Sequence, residues 1–358
     1  MSAQPEQTGR GLRLDWLDPG AAARGAAVAG VLLVALLVVP LTGGDWIGTF
    51  TSVAIYAVVA AGLGVLYGRV GMISLCQIGL LGLGTWTGAR LLHATSLPFP
   101  VLLLLTGLVT AAIGILIGLP ALRLTGLHLA LITLMAAGAI TEILNQTRFP
   151  NGGDGFKGVI GAGDLREVPD VRRPSIAEGD TAYYRYVVIV CAVMFLLALV
   201  HVATKPGRAW AAIRESEPAA LAAGVNITLY KLWAFALASF MTGVAGCLLA
   251  SQVGQPRVES FPTQASITLL ATALIGGIYT FWGAIVAGVF IQLLPFVFQA
   301  KWGLNSNFLL IIFGVGLLQV LLTAPGGIVV QFPKDMKNLG LLLLKLVRRR
   351  PAGGESAT

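Results

Sequence analysis

Charged residues are scarce in this 358-residue chain. Only 11% of its residues are Asp, Glu, Lys or Arg, whereas 56% are hydrophobic. A soluble domain of this length would carry about 25% charged residues. Because apolar runs near 20 residues recur, each long enough to cross a hydrocarbon core of about 30 Å, the composition predicts an all-α, polytopic helical membrane protein.

Residue types that bind metals or perform covalent chemistry are also few. The three cysteines lie in apolar runs without the spacing of metal ligands, so we expect buried free thiols: Cys76, Cys191 and Cys247. The three histidines are far apart in the sequence: His93, His128 and His201. Neither a His-Glu-x-x-His nor a Gly-x-Ser-x-Gly motif occurs. We therefore expect no catalytic residue, no metal and no cofactor on this chain.

Motifs for nucleotide hydrolysis and for ion channels are missing as well. The chain has no Walker motif, so it cannot hydrolyse ATP by itself. The Gly-rich stretch F-P-N-G-G-D-G-F-K-G, residues 149–158, is not a phosphate loop because no Gly-Lys-Ser/Thr ends it. No repeated pore motif or ring of charges indicates a channel. The net charge of +8 is interpreted as membrane topology rather than as nucleic-acid binding.

The predicted organisation is one membrane domain between two polar ends. Residues 1–25 form a cytoplasmic segment that does not resemble a cleaved signal peptide. Residues 26–323 form the transmembrane domain, and residues 324–358 form a basic tail on the anionic membrane surface. The predicted spans, about ten in number, are residues 26–41, 47–67, 72–92, 101–119, 125–145, 186–203 and 232–252, two short helices on either side of Gly276–Gly283, and 308–323.

The distribution of basic residues favours the break at Gly276–Gly283. With the N-terminus inside and the break present, both termini are cytoplasmic, and most Lys and Arg residues of the short loops lie inside. The short outer loops then keep only Arg90, Arg257 and Lys301. The long, charge-balanced connection of residues 148–185 lies outside. The alternative is one kinked helix, which would place the basic tail outside.

The longest polar passage that can be helical is residues 205–231. Ser216 can act as an N-cap, Pro218 lies near the first helical position, and Gly224 supplies a C-terminal stop. These signals predict a short helix over Glu217–Ala223 between two hydrophobic spans. From local chemistry alone it is either a cytoplasmic loop with a helical turn or a surface that docks another protein.

This passage resembles the coupling loop of ABC importer permeases. The stretch G-R-A-W-A-A-I-R-E-S-E-P-A-A-L-A-A-G-V, residues 207–225, is especially similar to the branched-chain amino acid ABC transporter permease family. One departure is Pro218, which stands where the acid before the paired alanines would be, with Glu217 one place earlier. The resemblance implies that the following residues couple the chain to an ATPase: Arg208, Arg214, Glu215, Glu217, Ala219, Ala220 and Gly224.

Three further stretches resemble the same family. They are G-R-V-G-M-I-S-L-C-Q-I-G-L-L-G-L-G from residue 68, L-T-G-L-H-L-A-L-I-T-L-M from residue 124, and the Gly-rich passage of residues 264–295. The Gly residues of the first stretch also suit simple helix packing. An acid inside a span is a functional hypothesis, although Glu142 could also reach interfacial water. Candidates for a translocation path are Ser74, Gln77, His128, Thr133, Glu142, Gly276 and Gly277.

The resemblance implies a permease subunit of an ATP-driven importer for branched-chain amino acids, working by alternating access, with the fold of the large (type II-like) importer class. It also implies a bacterial inner-membrane location and four kinds of partner: two ABC ATPase subunits, a second homologous permease subunit, an extracytoplasmic substrate-binding protein and the lipid bilayer. Members of the family also carry urea, short amides or carboxylates. An ion-coupled secondary transporter is the alternative from another class, and Glu142 is then its one available coupling acid.

Overall fold

The computed structural model describes residues 35–37, 39–41, 43–122, 124, 126–147, 171–303, 306–323 and 327–329. Every regular element within these ranges is helical, as the sequence predicts. The predicted N-terminal segment, the basic tail and most of the first predicted span lie outside the described residues. So does most of the connection of residues 148–185.

Twelve α-helices are described, some of them joined end to end. Their bounds are α1 Asp45–Leu63, α2 Gln77–Ala94, α3 Phe99–Ala121, α4 Gly126–Thr147, α5 Asp180–Ala203, α6 Lys205–Glu215, α7 Glu217–Ala222, α8 Ile227–Val253, α9 Ala265–Gly276, α10 Phe281–Gly288, α11 Leu294–Trp302 and α12 Ser306–Thr323. Helix α1 continues as a π-helix over Gly64–Val70, and a second π-helix, Val289–Leu293, joins α10 to α11. Short 3-10 helices cover Val39–Leu41 and Val258–Ser260.

Six of these stretches are long and apolar enough to cross a membrane, among the residues that the structure describes: Asp45–Val70, Phe99–Pro120, Gly126–Gln146, Asp180–Ala203, Ile227–Val253 and Phe281–Ala300. Helix α9 is apolar but has only 12 residues. The structure thus confirms a polytopic helical membrane protein, and the predicted number of about ten spans stays a prediction.

Helix α8 lies at the centre of the bundle, where α1, α2 and α3 pack against it. Small residues allow this close packing. A Cβ built on Gly84 of α2 would lie 2.8 Å from the Cα of Gly243 on α8. Lipid tails give helices no hydrophobic reason to associate, so close backbone approach supplies the van der Waals contact that holds them together. Simple packing therefore explains the glycines of the third predicted span.

That third span begins later than predicted. The sequence predicts a helix from Met72, but residues 71–76 are not helical and α2 begins at Gln77. The cause is a long-range contact, because the Leu75 N–H donates to Thr133 Oγ1 at 2.9 Å instead of to a helical carbonyl. The helix ends at Ala94, and Arg90 within it is buried, although the count of basic residues places it in an outer loop.

The predicted break is confirmed, but only the first of the two helices is short, because α10, the π-helix and α11 run on from Phe281 to Trp302. Helix α9 ends at Gly276, and Gly277 has φ +108°, in the left-handed region that favours glycine. The Thr280 hydroxyl then accepts a hydrogen bond from the Gly283 N–H at 3.1 Å and caps α10. A single kinked helix is thereby excluded. The cytoplasmic position of this turn stays a prediction.

Candidate functional site

The polar passage between α5 and α8 contains two helices instead of one. The predicted short helix is present as α7, and the predicted Ser216 cap is confirmed, since its hydroxyl accepts from the Ala219 N–H at 3.4 Å. Gly224 follows with φ +79°. Helix α6 was missed by the sequence analysis. Its signal was available, because Pro206 suits a first helical turn and small or apolar residues recur at helical spacing.

Helix α6 is fixed to the membrane domain through one face. Its buried residues are Ala209, Trp210 and Ile213. The indole N–H of Trp210 donates to the carbonyl of Tyr230 on α8 at 2.8 Å. A buried tryptophan needs such a partner for its only polar atom. Helix α6 therefore rests on α8 as an anchored element.

Helix α7 is tied to α8 by an ion pair. The Lys231 ammonium lies 2.6 Å from the Glu217 carboxylate, and the Lys231 side chain is only 6% exposed whereas that of Glu217 is 44% exposed. Since a buried ammonium needs a partner, the pair fixes the start of α7. The Val225 N–H donates to the Ala220 carbonyl at 3.0 Å and closes the other end.

The opposite face of α7 is exposed. Ala219, Leu221 and Ala222 are exposed, with Leu221 at 64%. Ala220, which the resemblance assigns to the coupling surface, is instead buried against the chain itself. Beside α7 lies an open groove, whose lining includes Leu122, Glu217, Leu221, Gly224, Asn226, Thr228 and Lys231. The groove has a mixed lining, with Leu122 and Leu221 beside the polar residues Glu217, Asn226, Thr228 and Lys231.

The remaining residues of the predicted coupling set lie on α6. Arg208 and Glu215 are exposed. Arg214 is exposed as well, and its guanidinium donates to the Gly68 carbonyl at 2.6 Å. Arg214 is therefore an exposed residue that also contacts the membrane domain.

Three of the predicted path residues meet at the start of α2. Ser74, Gln77 and Thr133 are all buried. Ser74 Oγ lies 3.1 Å from the Cys76 sulfur, and Thr133 Oγ1 accepts a hydrogen bond from the Leu75 N–H. Gln77 Oε1 accepts from Thr242 Oγ1 on α8 at 2.7 Å. Thr242 was missed, since nothing in the sequence links it to residue 77.

The other predicted path residues lie elsewhere. Gly276 and Gly277 form the break between α9 and α10. His128 and Glu142 are exposed on α4, where the Gln146 amide donates to the Glu142 carboxylate at 3.0 Å. A carboxylate facing lipid is costly. We therefore expect this face of α4 to meet water or another protein.

The Glu217–Lys231 pair gives a first prediction. We expect Glu217→Gln to lower the free energy of unfolding by about 1 kcal/mol, because the buried ammonium loses its charged partner while half of the lost interaction is screened by water. Thermal unfolding in detergent measures it. Glu215→Gln, an exposed acid on α6, is the matched control. Equal melting temperatures for both variants would contradict the proposed tie.

A second prediction concerns the two ends of α5. Gly179 precedes this 24-residue helix and Ala222 follows it, and both are exposed. We expect cysteines at the two positions to react with an impermeant maleimide from opposite sides, with Ala222→Cys reacting from the cytoplasm. The three native cysteines are buried and set the background. Reaction of both from one side would overturn the topology.

A multi-span helical bundle with interrupted helices and a short capped helix outside the spans is an arrangement typical of membrane transport subunits. Residues 46–321 match the family described as "Branched-chain amino acid transport system / permease component". The chain belongs to this family. It is therefore a multi-pass membrane protein of the permease family.

Two relatives carry the same printed name, "High-affinity branched-chain amino acid transport system permease protein LivM". The protein of Salmonella typhimurium (strain LT2) is 32% identical over 283 residues, covering 72% of this chain and 66% of the relative. That of Escherichia coli (strain K12) is 31% identical over 281 residues, with the same coverage. The chain thus aligns with slightly less than two thirds of either relative. No solved structure matches it significantly.

Proposed function

We propose that the chain is a permease subunit of an ATP-driven ABC importer for branched-chain amino acids in a bacterial inner membrane, with both termini cytoplasmic. The observation that carries this proposal is the exposed, capped helix α7, held by α8. The printed names of the two relatives support the substrate class. The chain works without a cofactor of its own. Its partners are two ATPase subunits, a second homologous permease subunit and an extracytoplasmic binding protein.

The contacts of α7 suggest how force reaches the core. Closure of the ATPase subunits pushes α7, and the Glu217–Lys231 pair passes the displacement to α8. Because α1, α2 and α3 all pack on α8, its movement tilts the centre of the bundle. Alternating access follows if this tilt opens one end of the path while closing the other.

The path is weakly polar. Hydroxyl and amide groups of Ser74, Gln77, Thr133 and Thr242 gather where α2 begins, and the exposed face of α4 is polar near both ends. A second permease subunit facing α4 would complete the pore. Such groups hold a small zwitterion through hydrogen bonds without the strong ion pairs that would slow its release.

Retention of the ATPase subunits tests the proposal. We expect Leu221→Asp to reduce the amount of ATPase that co-purifies with the tagged chain by about tenfold, since a carboxylate replaces the largest exposed apolar side chain of α7. Ile176→Asp is the matched control, because Ile176 is 80% exposed at the other end of α5. Equal ATPase retention by both variants would count against docking at α7.

A further inference from the structure

Arg214 joins three elements that are distant in the sequence. Its guanidinium donates to the carbonyl of Gly68, in the π-helix that extends α1, at 2.6 Å. The same group lies over the Tyr279 ring, with its carbon 4.8 Å from the ring centroid. Tyr279 belongs to the turn between α9 and α10. One side chain at the end of α6 therefore contacts the ends of two membrane helices. We name this contact the α6 joint: residues 64–71, Gly277–Thr280 and Arg214.

The two membrane elements of the α6 joint also contact each other closely. A Cβ built on Gly64 would lie 3.1 Å from the Ile278 carbonyl oxygen. The rings of Tyr67 and Tyr279 are 6.2 Å apart, and the Arg69 guanidinium lies 5.8 Å from the centre of the Phe281 ring. Backbone packing this close allows the two elements to separate or slide, but not to compress.

The bonding of Arg214 suits a contact that opens and closes. Within the described ranges the ion pairs are Arg173–Asp180 and Lys231–Glu217, so Arg214 is held by a carbonyl and a ring. Neither partner carries a full charge, so separation leaves no buried carboxylate behind. A planar guanidinium can donate in its plane while stacking on a ring, which an ammonium cannot do. Lysine is therefore not an equivalent residue here.

We propose that Arg214 is a positioning residue for transport: it couples displacement of α6 and α7 to the ends of α1 and of the α9–α10 turn, and so holds that end of the bundle closed. This inference rests on the proposed function, because it takes α7 as the helix that an ATPase moves. It differs from docking, since Arg214 acts on the chain itself. Its chemistry requires both the Gly68 carbonyl and the Tyr279 ring.

Cysteine labelling of the isolated chain tests the joint without any partner. Ala284 is 5% exposed and lines a narrow cavity with Ala273 and Tyr279. We expect an Ala284→Cys reporter in nanodiscs to react with maleimide at least fivefold faster when Arg214→Lys is added. Lys205→Ala, which removes an exposed cation from the same helix, should leave the rate unchanged.

The partner ring provides an independent pair of variants. We expect Tyr279→Leu to speed labelling as Arg214→Lys does, and Tyr279→Phe, which keeps the ring, to leave it slow. The double variant Arg214→Lys with Tyr279→Leu should label no faster than either single variant. Each of these three variants removes the same contact, that between the guanidinium and the Tyr279 ring. If Arg214→Lys does not fold, the Tyr279 pair decides. Equal labelling of Tyr279→Leu and Tyr279→Phe would overturn the joint.

Transport by the assembled complex tests the role of the joint. With radiolabelled leucine as the probe, we expect Arg214→Lys to lower uptake per ATP hydrolysed about tenfold while the ATPase subunits still co-purify. Normal uptake by Arg214→Lys, in a complex where the parent chain transports leucine, would overturn the inference and leave the proposed function standing. If the parent chain itself transports no leucine, the proposed substrate is wrong. The cysteine-labelling experiments alone then test the α6 joint.

Discussion

Gly84→Leu is expected to disrupt the packing of α2 against α8. A Cβ at this position would lie 2.8 Å from the Gly243 Cα and 3.0 Å from its carbonyl oxygen, closer than the optimal carbon–carbon separation of about 3.5–4.0 Å. Because the neighbouring atoms belong to the backbone of a central helix, rotation of a side chain cannot relieve the clash. The helices must move apart, and we expect the free energy of unfolding to fall by about 3 kcal/mol.

Thermal unfolding followed by size-exclusion chromatography measures this loss. The matched control is Gly314→Leu on α12, since a Cβ on Gly314 would meet nothing within 4 Å. The control should keep the melting temperature of the parent chain, whereas Gly84→Leu should melt earlier or fail to accumulate. Equal stability of the two variants would mean that α2 and α8 do not pack as described.

Gly224→Trp is expected to lower ATP-dependent uptake at least tenfold without preventing membrane insertion. Gly224 has φ +79°, where a residue with a Cβ is strained by roughly 1–2 kcal/mol. It also lines the groove beside α7, so an indole ring would fill part of the surface proposed to receive the ATPase. No membrane-spanning helix is altered, because α7 ends before this residue and α8 begins after it.

A second substitution at the same position adds a side chain with little backbone strain and little bulk. Asparagine tolerates the left-handed conformation, so Gly224→Asn should keep most of the uptake. Uptake and ATP hydrolysis are measured in the same proteoliposomes, and we expect hydrolysis to continue in Gly224→Trp without matching transport. Normal uptake by Gly224→Trp would remove this loop from the mechanism.

Features that depend on residues close together in the chain could be predicted from the sequence. The cap of α7 follows from Ser216 and Pro218, which act within one turn. The break after Gly276 follows from closely spaced glycines together with the distribution of basic residues. The family was also predictable, because its resemblances extend over several parts of the chain.

Features that depend on distant residues could not be predicted. The late start of α2 requires Thr133, which is 58 residues further along the chain. The Thr242 partner of Gln77 and the Gly68 partner of Arg214 arise only once the helices have assembled. Hydrophobicity identifies a span, but it does not show where a backbone N–H bonds to a neighbouring helix instead of to a carbonyl of its own helix. The residues that touch substrate remain a prediction for the same reason.

The most direct test is leucine uptake by proteoliposomes that hold this chain with the proposed partners: a second permease, two ATPase subunits and a binding protein. We predict uptake that requires ATP on the side of the membrane where the ATPase subunits lie and that stops when this chain is omitted. An ion gradient alone should drive none, and Glu142→Gln should not change the need for ATP. Uptake driven by an ion gradient without ATP, and abolished by Glu142→Gln, would show that the chain is a secondary transporter and not an ABC importer subunit.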